Sequence, residues 1–308
     1  MTPALRARTI QARLDALVAR YPAWGPALVV TLWFLAIDAL RLRPLLTSTV
    51  GFDGRLYRAA TVAWLDGGDP WAVYSGPIRY AAPPPSLLAM VPFALVPEDV
   101  AVVAIIAIGL AGTAWALRRL GLPWWWLAFP PFIDALSNAN PQVFLLPLLV
   151  AGAAPVAVFV KAYAALVPLI RWEVKALVVT AVLLVVTAPF LPWVAYLAAL
   201  PSLVATLQTQ SDGGMSAWVT PILLPIGAIA LVVMGRERAA WWSVPVLWPS
   251  TQWYYASMVV PAATLPAAVV VAVPHPLTAT LGAVVTAWMV WARWPPRQAG
   301  AGDPVPGA

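Results

Sequence analysis

Apolar runs follow one another along almost the whole chain, near 24–41, 82–98, 100–117, 123–138, 141–153, 155–171, 175–197, 217–234, 241–259, 260–274 and 277–294. A helix needs about 20 apolar residues to cross a bilayer; most runs come near that length, and several are short or broken by proline. Soluble domains carry about 25% charged residues. This chain of 308 residues carries 10%, against 62% hydrophobic, so it cannot bury its apolar side chains against itself. Lipid has to act as solvent for much of the surface. The expectation is an all-α integral membrane protein, a polytopic bundle of about ten or eleven transmembrane helices. Its many prolines are compatible with that, because neighbouring helices can satisfy the carbonyls that proline frees.

Several function classes fall away early. With no cysteine, a disulfide framework, a thiolate metal site and a cysteine nucleophile are all excluded, and one histidine, His275, cannot build a histidine cluster. In a membrane chain the net charge of +6 reads as topology signal and phosphate or headgroup contact rather than as a nucleic-acid surface.

Positive charge sets the expected orientation. Arg6, Arg8, Arg13 and Arg20 precede the first run and place the N-terminus in the cytoplasm, with that run retained rather than cleaved. Residues 42–81 then fall outside, and the turns at 171–175 and 235–238 fall inside, as their charges require. The same count leaves Arg118 and Arg119 outside, against the rule. Either one short span is re-entrant or those arginines have another use. Trp124, Trp125 and Trp126, and Trp241 with Trp242, read as interface anchors. Residues 1–294 form one membrane domain, and 295–308 a disordered tail.

One long polar stretch, residues 51–80, stands out from this background. Phe52, Leu56, Ala59, Ala60 and Ala63 recur at helical spacing, while Arg55, Arg58 and Asp66 fall away from that stripe. The glycines and proline of "DGGDP" then stop the helix. Residues 53–65 therefore read as an amphipathic helix on the outer membrane surface. Asp53 at its start is either an acidic N-cap or a base held just above the bilayer. Arg55, Arg58 and Arg79 are either headgroup anchors or phosphate ligands.

Three ionisable groups fall within apolar runs, where burial costs about 2.5–3.5 kcal/mol on insertion scales. Asp38 has Arg41 three residues on as a local partner. Asp134 shares a polar face with Ser137 and Asn138. Lys161 has no local partner and must reach an acid, a carbonyl or a bound anion; a structural Lys–Asp pair is the plain alternative.

Taken in order, these segments resemble glycosyltransferase family 87, the polyprenol-phosphate-mannose-dependent mannosyltransferases of the GT-C superfamily. The family's first outer loop is matched by Asp53, Tyr57, Ala59, Ala60, Gly68, Pro70 and Trp71, followed by "RYAAPPPSLLAMVPFALVP". "NANPQVFLL", "VKAYAALVPLI" and "WPSTQWYYASMVVP" resemble later family segments, so the likeness covers most of 50–262. Order and spacing carry it, since no single motif is specific. Where the late pattern has histidine this chain has Tyr254, with Tyr255 in the tyrosine place.

The resemblance implies a GT-C-like fold and inverting transfer of a hexose, mannose by family, from a polyprenyl-phosphate donor to a lipid or glycan acceptor at the outer face of the cell membrane. It implies Asp53 as general base, and Arg55, Tyr57, Arg58, Arg79, Asn140, Gln142, Lys161, Tyr254 and Tyr255 as substrate-binding residues. The donor is a substrate; neither a metal nor a cofactor is called for. A transporter or flippase of a lipid-linked molecule, using the same charges as a path, is the rival reading. A non-catalytic membrane protein of the same fold is a third.

Overall fold

The computed structural model describes residues 24–45, 50–76, 78–210 and 217–293. The four N-terminal arginines and the tail after 294, on which the orientation and disorder expectations rested, lie outside the described residues. The rest is nearly all helical, with one two-stranded hairpin, β1 (Tyr74–Ser75) and β2 (Ile78–Arg79), paired antiparallel.

Fourteen α-helices are described: α1 (Trp24–Leu45), α2 (Phe52–Leu65), α3 (Pro85–Ala94), α4 (Glu98–Arg119), α5 (Pro130–Ser137), α6 (Leu145–Val150), α7 (Ala154–Val160), α8 (Leu166–Arg171), α9 (Val174–Thr187), α10 (Trp193–Gln210), α11 (Leu223–Met234), α12 (Arg236–Leu247), α13 (Leu265–Val271) and α14 (Thr278–Arg293). Many are shorter than the apolar runs that hold them, and proline is one cause. It has no N–H to donate and pushes the residue before it out of the helical region. Phe129 before Pro130 and Asn140 before Pro141 are accordingly extended, with ψ of 118° and 133°.

Among the described residues one helix, α4, is long and apolar enough to cross a membrane. Val174–Phe190 and Trp193–Leu207 pass the same test together but bend by 102° where they meet. The single run expected over 175–197 is therefore divided, and α10 turns away from α9. Shorter apolar helices, among them Pro141–Val150 and Leu223–Met234, make up most of the remainder.

At 22 residues, α4 is about 33 Å long and gives the molecule two ends. At its upper end Arg55 of α2 reaches Glu98 and Asp99. At its basal end Arg119 shares a pocket with Val150, Arg171 and Arg238. Two of the expected spans do not run from one end to the other. α3 spans 10 residues, about 15 Å. It starts beside the upper cavity lined by Ala82 and Pro83, and leads to Val96, whose carbonyl accepts from Arg58 of α2. The run over 155–171 is a hairpin. The chain leaves the basal pocket at Val150, before this run begins, reaches the upper cavity at Lys161, and is back in the basal pocket at Arg171. The extended backbone of Lys161, φ −147° and ψ 116°, separates its two legs.

Trp241 and Trp242 are buried, with 5% and 0% of their surface exposed, so they pack inside the bundle instead of marking an interface. Trp126 is buried too, with Trp125 and Phe129 around Phe34 of α1, while Trp124 is exposed. Large apolar side chains line outward faces on several helices: Val29, Leu32 and Leu35 on α1, Val182, Val185 and Val186 on α9, and Ile222, Ile229 and Val232 on or beside α11.

Candidate active site

The start of α2 is docked against the turn that follows α5. The N–H of Gly51, at φ +82°, donates to the Ser137 carbonyl at 2.8 Å. The N–H of Gly54 donates to the Asn138 carbonyl at 3.1 Å. At Gly54 a Cβ would stand 2.8 Å from the Ala139 Cβ and 3.0 Å from its carbonyl oxygen. Only a residue without a side chain allows this approach.

That contact aims Asp53. The N-cap of α2 is Gly51, so Asp53 lies inside the first turn and its carboxylate does not cap the helix. Instead Oδ2 accepts a hydrogen bond of 2.6 Å from Nδ2 of Asn140. Asn140 is fixed in turn, because its Oδ1 accepts from the Gln142 backbone N–H at 2.9 Å. A charge-assisted bond of this kind is about twice as strong as a neutral one.

Asp53 and Lys161 line one cavity of about 890 Å³. The Lys161 ammonium donates to the Tyr57 hydroxyl and lies 4.5 Å from the centre of that ring. No Lys161–Asp53 salt bridge forms among the described residues. The Lys–Asp pairing left open by the sequence therefore takes a weaker form, a field across the cavity. Burial raises the Asp53 carboxyl above the ordinary carboxylate value, and the Asn140 hydrogen bond and the Lys161 charge pull it part of the way back. Burial likewise pushes the Tyr57 phenol well up, so it stays protonated near neutral pH.

The remaining wall is largely aromatic. Tyr80 meets Tyr57 edge-on at 5.1 Å, and its hydroxyl is 2.5 Å from Ser86 Oγ. Tyr254 and Tyr255 meet edge-on at 5.0 Å, and Tyr163 lies 4.3 Å from Tyr255. Trp193 and Tyr196 of α10 also line the cavity. Arg79 lines it while donating to the Trp71 carbonyl and, at 2.8 Å, to Ser202 Oγ of α10.

Asp53, Tyr57, Arg79, Asn140, Lys161, Tyr254 and Tyr255, all expected at the site from sequence, thus meet in one place. Gln142 stands behind the wall, accepting from the Tyr163 hydroxyl and donating to Ser257 Oγ at 3.2 Å. It positions and does not line. Arg55 and Arg58 are not brought to the cavity. At about 100° per residue, Tyr57 lies about 40° from Asp53 around the helix, whereas Arg55 and Arg58 lie about 160° and 140° away. Arg55 pairs with Glu98 and Asp99, and Arg58 donates to the Val96 carbonyl through two nitrogens, at 2.9 and 2.7 Å. Tyr80, Tyr163, Trp193 and Tyr196 were not foreseen. The signal that could have found them is an aromatic beside a charged residue or a proline, as in "RYAAPPPS", "KAYAA" and "PWVAY".

No family model matches the chain, and neither a curated protein nor a solved structure matches it. The chemistry of the site is accordingly read from its geometry. Two carboxylates, Asp53 and Asp134, line an aromatic-walled space with a buried ammonium and an arginine, and burial raises the pKa of Asp53. Such a set can take a proton from a hydroxyl, hold an anionic leaving group and stack a sugar ring.

Proposed function

We propose that this chain is a membrane glycosyltransferase that moves a hexose from a polyprenyl-phosphate donor to a hydroxyl of a lipid or glycan acceptor. The observation that carries the reading is the shared cavity of Asp53, Lys161 and Arg79. Asp53 takes the proton of the acceptor hydroxyl as its oxygen attacks the anomeric carbon. The bond from that carbon to the phosphate oxygen breaks, and Lys161 and Arg79 receive the negative charge on the departing phosphate. A single in-line displacement inverts the anomeric centre. Tyr57, Tyr80, Tyr254 and Tyr255 offer ring faces and hydroxyls to the sugar.

Exposed apolar faces on α1, α9 and α11 support a membrane setting, since lipid is the solvent in which they cost nothing. In that setting the basal end, which carries Arg118, Arg119, Arg171 and the arginines of 236–238, faces the cytoplasm. The cavity faces the other side.

Purified protein in detergent, given a radiolabelled polyprenyl-phosphate hexose and a membrane extract, should move the label into a new glycoconjugate. Label that stays on the donor, with folded protein and a range of acceptors, refutes the reading. A second reading, movement of a lipid-linked anion, is favoured by the basic pocket at the opposite end. It requires a sealed vesicle, whereas transfer does not.

A further inference from the structure

At the basal end lies a second concavity, about 600 Å³, on whose wall Arg119, Arg171, Arg238, Glu237 and Trp241 meet the apolar Leu149. Three guanidinium groups face it against one carboxylate. Arg171 is largely committed: it lies 4.9 Å over the Trp241 ring, with Nη1 3.6 Å from Glu173. Its Nε is 3.2 Å from Glu237 Oε2, but the buried N–H has no aligned acceptor there. Arg119 and Arg238 are exposed and have no acidic partner among the described residues. They come from the last turn of α4 and the first turn of α12, about 120 residues apart in sequence, so the fold and not local sequence brings them together.

We propose that this pocket binds a phosphate-bearing anion. Guanidinium forks match the oxygens of a phosphate in pairs, and Arg119 and Arg238 hold theirs at the pocket with no acid among the described residues to neutralise them. The ligand is a phospholipid headgroup, whose acyl chain would lie along the Leu149 side, or a soluble phosphate; both present the same group to the same arginines. Basic pockets between helices at a membrane surface commonly hold headgroups. The site is separate from the upper cavity: Pro141–Val150, about 17 Å of chain, runs from one to the other. It also gives Arg119 a use that is independent of the proposed transfer.

The test compares purified protein in detergent micelles doped with phosphatidylglycerol, with phosphatidylcholine, or with inorganic phosphate in solution, read by native mass spectrometry and by the unfolding midpoint. Phosphatidylglycerol should be retained in preference to phosphatidylcholine and should raise the midpoint. Arg119→Gln with Arg238→Gln should weaken that retention by about 30-fold. Arg118→Gln with Lys175→Gln removes equal charge from the same end outside the pocket and should change it by less than about 3-fold. Protection by inorganic phosphate alone, lost in the pocket pair and kept in the control pair, assigns the site to a soluble phosphate. Equal retention of both lipids without phosphate protection overturns the proposal, as does equal weakening by both pairs. Single Arg238→Gln, at an exposed position, serves if the pocket pair does not accumulate.

Discussion

Gly54→Ala adds one methyl group at the contact that aims the proposed base. Apolar carbons rest about 3.5–4.0 Å apart. The new Cβ would stand 2.8 Å from the Ala139 Cβ and 3.0 Å from its carbonyl oxygen, in a turn where Ala139 already sits at φ +47°. Neither neighbour is the movable tip of a long side chain, so α2 must retreat by about 1 Å. The hydrogen bond from Asn140 to Asp53, now 2.6 Å, would open past 3.5 Å and cease to be one. Overpacking costs about 1–3 kcal/mol, and the gain from alanine over glycine inside a helix returns about 1 kcal/mol. The net loss of stability should therefore be small, about 0–2 kcal/mol. Displacement of a reacting group by about 1 Å can cost about 100-fold in rate. Melting in detergent and single-turnover transfer from a polyprenyl-phosphate hexose, measured on one preparation, separate the two effects. A variant that transfers at the wild-type rate would show that the docking of α2 on this turn does not set the carboxylate's position, and the role given to Gly54 would fall.

Asp53→Asn keeps the shape but cannot accept a proton, and should slow transfer by about 10²–10⁴-fold. Because burial raises the folded-state pKa of Asp53, its share of stability is whole below the unfolded value and is lost as pH rises through the folded one. The Asn variant should gain on the wild type in melting temperature over that window; a constant difference across pH would contradict the raised pKa. Lys161→Met should weaken donor binding while the protein still accumulates, since the methionine fills the buried site without an ammonium; unchanged affinity would remove Lys161 from the phosphate. Single cysteines at Ser75 and Glu173 should label from opposite sides of a sealed membrane, and one at Arg118 from the Glu173 side; any other pattern breaks the assignment of ends.

Helix content was legible from the apolar runs, and the meeting of Asp53 with Lys161 from the order of the resembling segments, supported by a lysine inside an apolar run, which has few uses. The directions of Arg55 and Arg58 were legible in principle. Helical phase alone turns them from Tyr57 and Asp53, and the acids at 98–99 give Arg55 its partner. The hairpin was not legible from hydropathy, since both of its legs are apolar and its break at Lys161 has no proline or glycine. Gly54 was hidden for a different reason. Its value lies in a contact with Ala139, 85 residues away, and local sequence carries no trace of that. The tyrosine wall was missed because aromatic residues in a greasy chain read first as packing.

In the proposed membrane setting, the crossings of this chain obey a parity. Every apolar run counted as a crossing flips the side of all that follows, and the two runs that turn back, over 82–98 and 155–171, lie one before α4 and one after α6. Removing both leaves every turn beyond Arg171 on the side already assigned to it, because two flips cancel. Only the stretch between them is inverted. In that stretch sit Arg118 and Arg119, which pass from the one exception to the charge rule into agreement with it.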